Sequence, residues 1–103
     1  MGSPMKIRTK LEGDVLHVRV LISHPMETGL RRDADDNLVP AHFIELVTFT
    51  YGPRVVLTAQ WGPAVSRNPY LSFKIHNAAP GGRLKISWTD NRGDSRTDET
   101  IVE

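Results

Sequence analysis

The chain has 103 residues, 39% of them hydrophobic, and 13 Lys and Arg against 12 Asp and Glu give a formal charge of +1. A chain of this size is one small globular domain that buries roughly 60–70% of its unfolded surface, enough for a core without metals or disulfides. With no cysteine among these residues, disulfides, thiolate metal sites and a thiol nucleophile are excluded; the near-neutral charge lacks the basic excess of a dedicated nucleic-acid binder.

Residues 1–4 read as a cloning remnant or disordered start and are set aside, leaving residues 5–103 as a single domain. The N-terminal residues show no apolar stretch of a secretory signal, and no apolar run approaches the roughly 18 residues of a membrane-spanning helix. From Lys6 onward the hydrophobic period is two. Lys6 to Leu11 is a weak, polar strand of the edge type. Residues 15–22 alternate, with Leu16, Val18, Val20 and Ile22 on one face and His17 and Arg19 on the other. Phe43 to Tyr51 is apolar or β-branched on both faces and predicts a more central strand, followed by Val55 to Trp61. Leu71, Phe73 and Ile75 alternate with Ser72, Lys74 and His76, and Leu84, Ile86 and Trp88 with Lys85 and Ser87; Arg96 to Val102 is a second weak edge candidate.

The punctuation agrees with this division. Glu12-Gly13-Asp14, Tyr51-Gly52-Pro53, Pro80-Gly81-Gly82 and Asn91-Arg92-Gly93-Asp94 are turn sequences between alternating runs. Seven scattered prolines leave no long helical stretch. The expectation is an all-β, immunoglobulin-like two-sheet sandwich of about seven strands, with a small barrel as the alternative. Two connections are longer than turns, Ser23 to Pro40 and Gly62 to Pro69, and both are too polar to be core.

No chemical motif stands complete. Asp33-x-Asp35-x-Asn37 opens like a calcium loop, but Leu38 occupies the glycine position and Ile44 the twelfth, so a solvated loop is expected. His17, His24, His42 and His76 lack metal-ligand spacing, and no metal or cofactor is expected. A Ser66–His24–Asp90 triad can be assembled only by assumption, without a nucleophile elbow. Trp61 and Trp88 are expected in the core, although as exposed platforms they would make a stand-alone small-ligand-binding sandwich. Arg92-Gly93-Asp94 is hairpin chemistry.

The ordered segments nevertheless resemble one family. Leu21-Ile22-Ser23-His24-Pro25-Met26-Glu27-Thr28-Gly29, then Arg31-Arg32-Asp33 and Val39-Pro40, are similar to the loop of the Z subunit of the bacterial sulfur-oxidation (Sox) thiosulfate carrier. Pro63-Ala64, Ser66-Arg67-Asn68-Pro69-Tyr70 with Phe73, and Trp88-Thr89-Asp90-Asn91-Arg92-Gly93-Asp94 follow in the same order and at matching intervals. The resemblance implies a non-catalytic immunoglobulin-like subunit that pairs with a cysteine-bearing Y subunit and helps dock it to thiosulfate-oxidising enzymes. It also implies a periplasmic protein exported together with its signal-bearing partner. A Z-like half of a fused carrier accompanying a quinoprotein dehydrogenase would look the same. No nucleic acid and no membrane insertion are expected.

Within that picture His24, Pro25, Met26, Arg31 and Arg32 are the expected partner-contact residues, with Asn68, Pro69 and Tyr70 as a second patch. Arg and Met are enriched at interfaces and proline lowers the entropy lost on ordering a loop. The alternative role for both patches is bracing their own loops.

Overall fold

The computed structural model describes residues 3–103; of the four N-terminal residues set aside above, Met1 and Gly2 lie outside them. Seven strands run β1 (Lys6–Glu12), β2 (Val15–Leu21), β3 (Ile44–Tyr51), β4 (Arg54–Gln60), β5 (Tyr70–Ile75), β6 (Arg83–Asp90) and β7 (Ser95–Ile101). They form two antiparallel sheets, β1-β2-β5 and β4-β3-β6-β7, and among the described residues no helix is long and apolar enough to cross a membrane. The strand order matches an immunoglobulin-type sandwich whose fourth strand has joined the second sheet. As their polarity predicted, β1 and β7 are edges, and the doubly apolar β3 lies between two neighbours. Gly52, at φ 58°, opens the two-residue β3–β4 loop ahead of Pro53, the conformation a tight hairpin needs at its first central position.

The alternation sets the core. Leu16, Val18 and Val20 of β2 face Val47 and Phe49 of β3 and Leu84, Ile86 and Trp88 of β6, all with almost no exposed surface. Phe49 meets Phe73 of β5 edge to face across the sheets, ring centroids 4.8 Å apart. Met5 is buried with them, so packed structure begins one residue before the first strand.

Antiparallel pairing carries every long connection to one pole. The ends of β2, β4 and β6 and the starts of β3, β5 and β7 meet there, with segments 22–43, 61–69 and 91–94 between them. The connection expected from Ser23 to Pro40 as a merely polar loop is part of a longer segment, 22–43, with its own architecture. It doubles back as a narrow arm through Glu27↔His42 and Arg32↔Leu38 bridges, closed at its tip by a turn from Asp33 to Asn37. The molecule is correspondingly long, 54 × 20 × 19 Å with a radius of gyration of 15.5 Å, where a rounded chain of this length would give about 13 Å.

Candidate functional site

Three side chains converge under the arm, two from the opposite stems of the β2–β3 connection and one from the end of β6. His24 lies just after β2, His42 just before β3, and Asp90 ends β6. Asp90 Oδ2 lies 3.1 Å from His24 Nε2 and 2.7 Å from His42 Nε2. Its other oxygen, Oδ1, accepts the backbone N–H groups of Arg92 and Asp94, each at 2.9 Å. One carboxylate therefore closes the β6–β7 turn and ties down both stems of the arm. The two imidazoles contact each other edge to face at 4.6 Å, and His24 stands edge-on to the Trp88 indole at 5.1 Å.

The hydrogen bonds fix the proton positions. Met26 N–H donates to His24 Nδ1 at 3.1 Å, so Nδ1 holds a lone pair and the ring proton sits on Nε2, aimed at Asp90. Two potential chemistries fail on that tautomer. A cation between His24, His42 and Asp90, the one set of at least three such ligands among the described residues, would need the Nε2 lone pair and would turn an Nδ1–H against the Met26 N–H. A serine nucleophile would need a free imidazole nitrogen, and neither nitrogen of His24 is free for Ser66. The cluster is a structural clamp.

Its electrostatics agree. Burial pushes His24 below the ordinary imidazole value of 6.5, a shift that its bond to Asp90 only partly opposes. Burial alone would raise the Asp90 carboxyl, but the bonds from His24, His42 and the Arg92 N–H outweigh it and hold the group below 3.8. Both folded values lie below the unfolded ones, so the stability they contribute is complete above the unfolded values and lost as pH falls. Loss begins for His24 below 6.5 and for Asp90 below 3.8. A melt at about pH 5 is accordingly expected several degrees below one at about pH 7, and His24→Gln is expected to flatten the difference; a midpoint that is constant or rises on acidification contradicts the clamp.

The contact residues expected from sequence divide into two groups. His24 and Met26 are buried, 4% and 5% exposed, so they shape the arm from within and offer almost no surface of their own. Met26 has a positive φ of 48°, held by its bond to His24 and by the Ile44 N–H donating to its Sδ at 3.4 Å. Pro69 is likewise buried, and its carbonyl accepts from Ile22 N. Asn68 braces the pole: its Oδ1 accepts His24 N–H, and its own N–H donates to His24 O. Pro25, Arg31, Arg32 and Tyr70 are exposed. Arg31 grips Glu27 through Nε and an η-nitrogen at 2.8–3.1 Å, and Arg32 reaches Asp36 O at 2.9 Å. Asp33 Oδ1 accepts the Asp35 and Asn37 N–H groups, so this carboxylate serves its own turn.

The arm also carries residues that sequence reasoning passed over. Leu30 and Leu38 are 82% and 53% exposed, beside the two arginines. His42 was missed as well, because 18 and 48 residues separate it from His24 and Asp90; those intervals say nothing, and only the sandwich brings the three together. Of the tryptophans, Trp88 is 1% exposed and Trp61 is half-buried against the core edge. Trp88 therefore cannot serve as a stacking platform, and the small-ligand reading loses the pair it needs.

Comparison with known proteins decides the family. The model of the sulphur oxidation protein SoxZ matches residues 5–101. The chain belongs to the SoxZ family. Comparison with curated proteins returns no match. Among solved structures, a hypothetical protein, PH1083 from Pyrococcus horikoshii OT3, is similar with a TM-score of 0.66 and 18% identity over 96% of this chain and 87% of that one. At that identity the likeness is one of fold, a two-sheet sandwich shared with this SoxZ-family chain. Membership makes the chain a component of sulfur oxidation, and the clamp is the frame that holds its arm.

Proposed function

We propose that the chain is the non-catalytic body of a thiosulfate carrier, pairing in the periplasm with a cysteine-bearing Y subunit and orienting it toward the enzymes of thiosulfate oxidation. A thiol-bound intermediate must enter successive enzyme pockets, so it is best carried on a mobile segment anchored to a rigid body that raises its effective concentration at the docked enzyme. The observation that carries this reading is the family match over nearly the whole chain. The division of labour fits the residues: there is no thiol, and the buried histidine–aspartate cluster is used up in holding the arm.

The arm is the proposed seat for the Y subunit. Leu30 and Leu38 offer apolar area, Arg31 and Arg32 offer planar donors, and arginine beside well-packed apolar anchors is the usual make-up of an interface centre. Pro25, with Asn68 and Tyr70 at the arm's foot, extends the surface. Mixing the purified chain with a Y subunit and running size-exclusion chromatography is expected to give a single heterodimer peak at tens of micromolar, as an order of magnitude. Separate monomers would refute the reading. Arg31→Glu/Arg32→Glu is expected to weaken pairing about tenfold. The same pair of changes should leave the melting temperature little changed, since both arginine side chains are more than half exposed.

A further inference from the structure

We propose that the outer face of the β1-β2-β5 sheet is a second docking surface, one that receives an acidic protein surface. The register sets three rows across it: Lys6, Leu21 and Tyr70; Arg8, Arg19 and Ser72; Lys10, His17 and Lys74. The face thus gathers five of the chain's thirteen Lys and Arg. Its one carboxylate is Glu12, which lies 3.2 Å from Lys10 and 3.6 Å from His17. Arg8 stands directly opposite Arg19. Among the described residues no carboxylate lies within ion-pair distance of Arg8, Arg19, Lys6 or Lys74.

Like charges directly opposite on neighbouring strands destabilise a sheet. The same molecule avoids this on its other outer face, where Lys85 lies opposite Glu99, Arg83 pairs with Glu99 at 3.4 Å, and Ser87 and Thr97 share a hydrogen bond. The four unpaired cations on one sheet leave its charge free to attract an external acidic counterpart. The rows border two shallow grooves of about 510 and 320 Å³ that share Arg8 and Arg19. Tyr70 is the one aromatic in these rows, so the face lacks the stacking platforms of a single-strand nucleic-acid binder. Three strands about 4.8 Å apart and six or seven residues long span only about 300 Å². That is well under the roughly 800 Å² per partner of a stable complex, which makes this a contact of electrostatic steering, quickly formed and quickly released. Resting on the carrier reading, it deepens it: the arm holds the permanent partner while the cationic sheet meets the transient ones.

The test titrates fluorescein-labelled poly-L-glutamate with the free chain and with its Y complex, followed by fluorescence anisotropy across a salt series. Binding by both, weakening steeply with salt, is expected. Arg8→Glu/Lys74→Glu should lose about tenfold in affinity, and the matched Arg83→Glu/Lys85→Glu change on the other sheet should lose little. Arg8→Glu creates a cross-strand ion pair with Arg19, and an unchanged melt confirms that the variant folds. Equal losses in the two double variants overturn the proposal, as does tighter binding of a thymidine oligonucleotide than of poly-L-glutamate. Binding by the free chain but not by the Y complex would give this face to the Y subunit, ending the proposal and sparing the carrier reading. Should no Y complex form, the carrier reading fails, and the free-chain comparison still decides the face.

Discussion

Asp90→Ala is expected to cost about 3–5 kcal/mol and lower the melting temperature by about 15 °C or more. Against a typical total of about 5–15 kcal/mol, that is a large share. The side chain is fully buried and accepts four hydrogen bonds: two imidazole N–H groups on Oδ2 and two backbone N–H groups on Oδ1. Truncation removes the acceptor of all four donors, the buried His24 N–H among them, and the penalty comes mainly from those orphaned groups. Asp90→Asn separates acceptor from volume. Its amide can keep one oxygen on the backbone donors but then turns NH₂ toward two imidazole N–H groups, so a loss of about 2–3 kcal/mol is expected. His42→Ala, at the more exposed edge of the cluster, should cost less than His24→Ala. Urea denaturation checks the order. Amide exchange adds a local signature: in Asp90→Ala the amides of Met26, Glu27 and His42 should exchange well before those of β2 and β6. If they exchange together, the carboxylate does not clamp the arm.

The second large effect is expected at the opposite pole. Gly82 lies against the Tyr51 ring, and a Cβ there would land on the phenol oxygen. That oxygen cannot move freely, because it donates to Ala79 O at 3.0 Å and accepts from Ala79 N at 2.9 Å, holding the β5–β6 connection to the core. Gly82→Ala must therefore expel a largely buried ring and break both bonds, at about 2–4 kcal/mol. A double-mutant cycle tests the cause. In a Tyr51→Ala background the same glycine change should cost less than about 0.5 kcal/mol. An undiminished cost there would place the strain in the backbone and not in the ring.

What the sequence disclosed follows from how far each signal travels along the chain. Strand identity rests on neighbours two apart, so Leu16, Val18 and Val20 or Leu84, Ile86 and Trp88 name their face without help from the rest of the fold. Hairpin turns are local too. The clamp is not: His24, His42 and Asp90 meet only after two sheets have packed, and no local pattern marks them. Segment 22–43 was legible as long and polar, yet its folding into an arm depends on a buried Met26 at positive φ and on two isolated bridges, which hydrophobic periodicity cannot register. Its apolar surface was overlooked because single leucines in a polar run are usually read as incidental. The resemblance of ordered segments filled part of that gap, since the segments that carry it, around His24 and Asp90, are those that build the pole.

Thiosulfate-dependent turnover in a system reconstituted from purified components, measured as the chain is titrated into a fixed amount of Y subunit, tests the carrier body most directly. The expected result is little turnover from either component alone and a rise that saturates at one chain per Y subunit. Full turnover from the Y subunit by itself, or any turnover by this chain without it, would contradict that role.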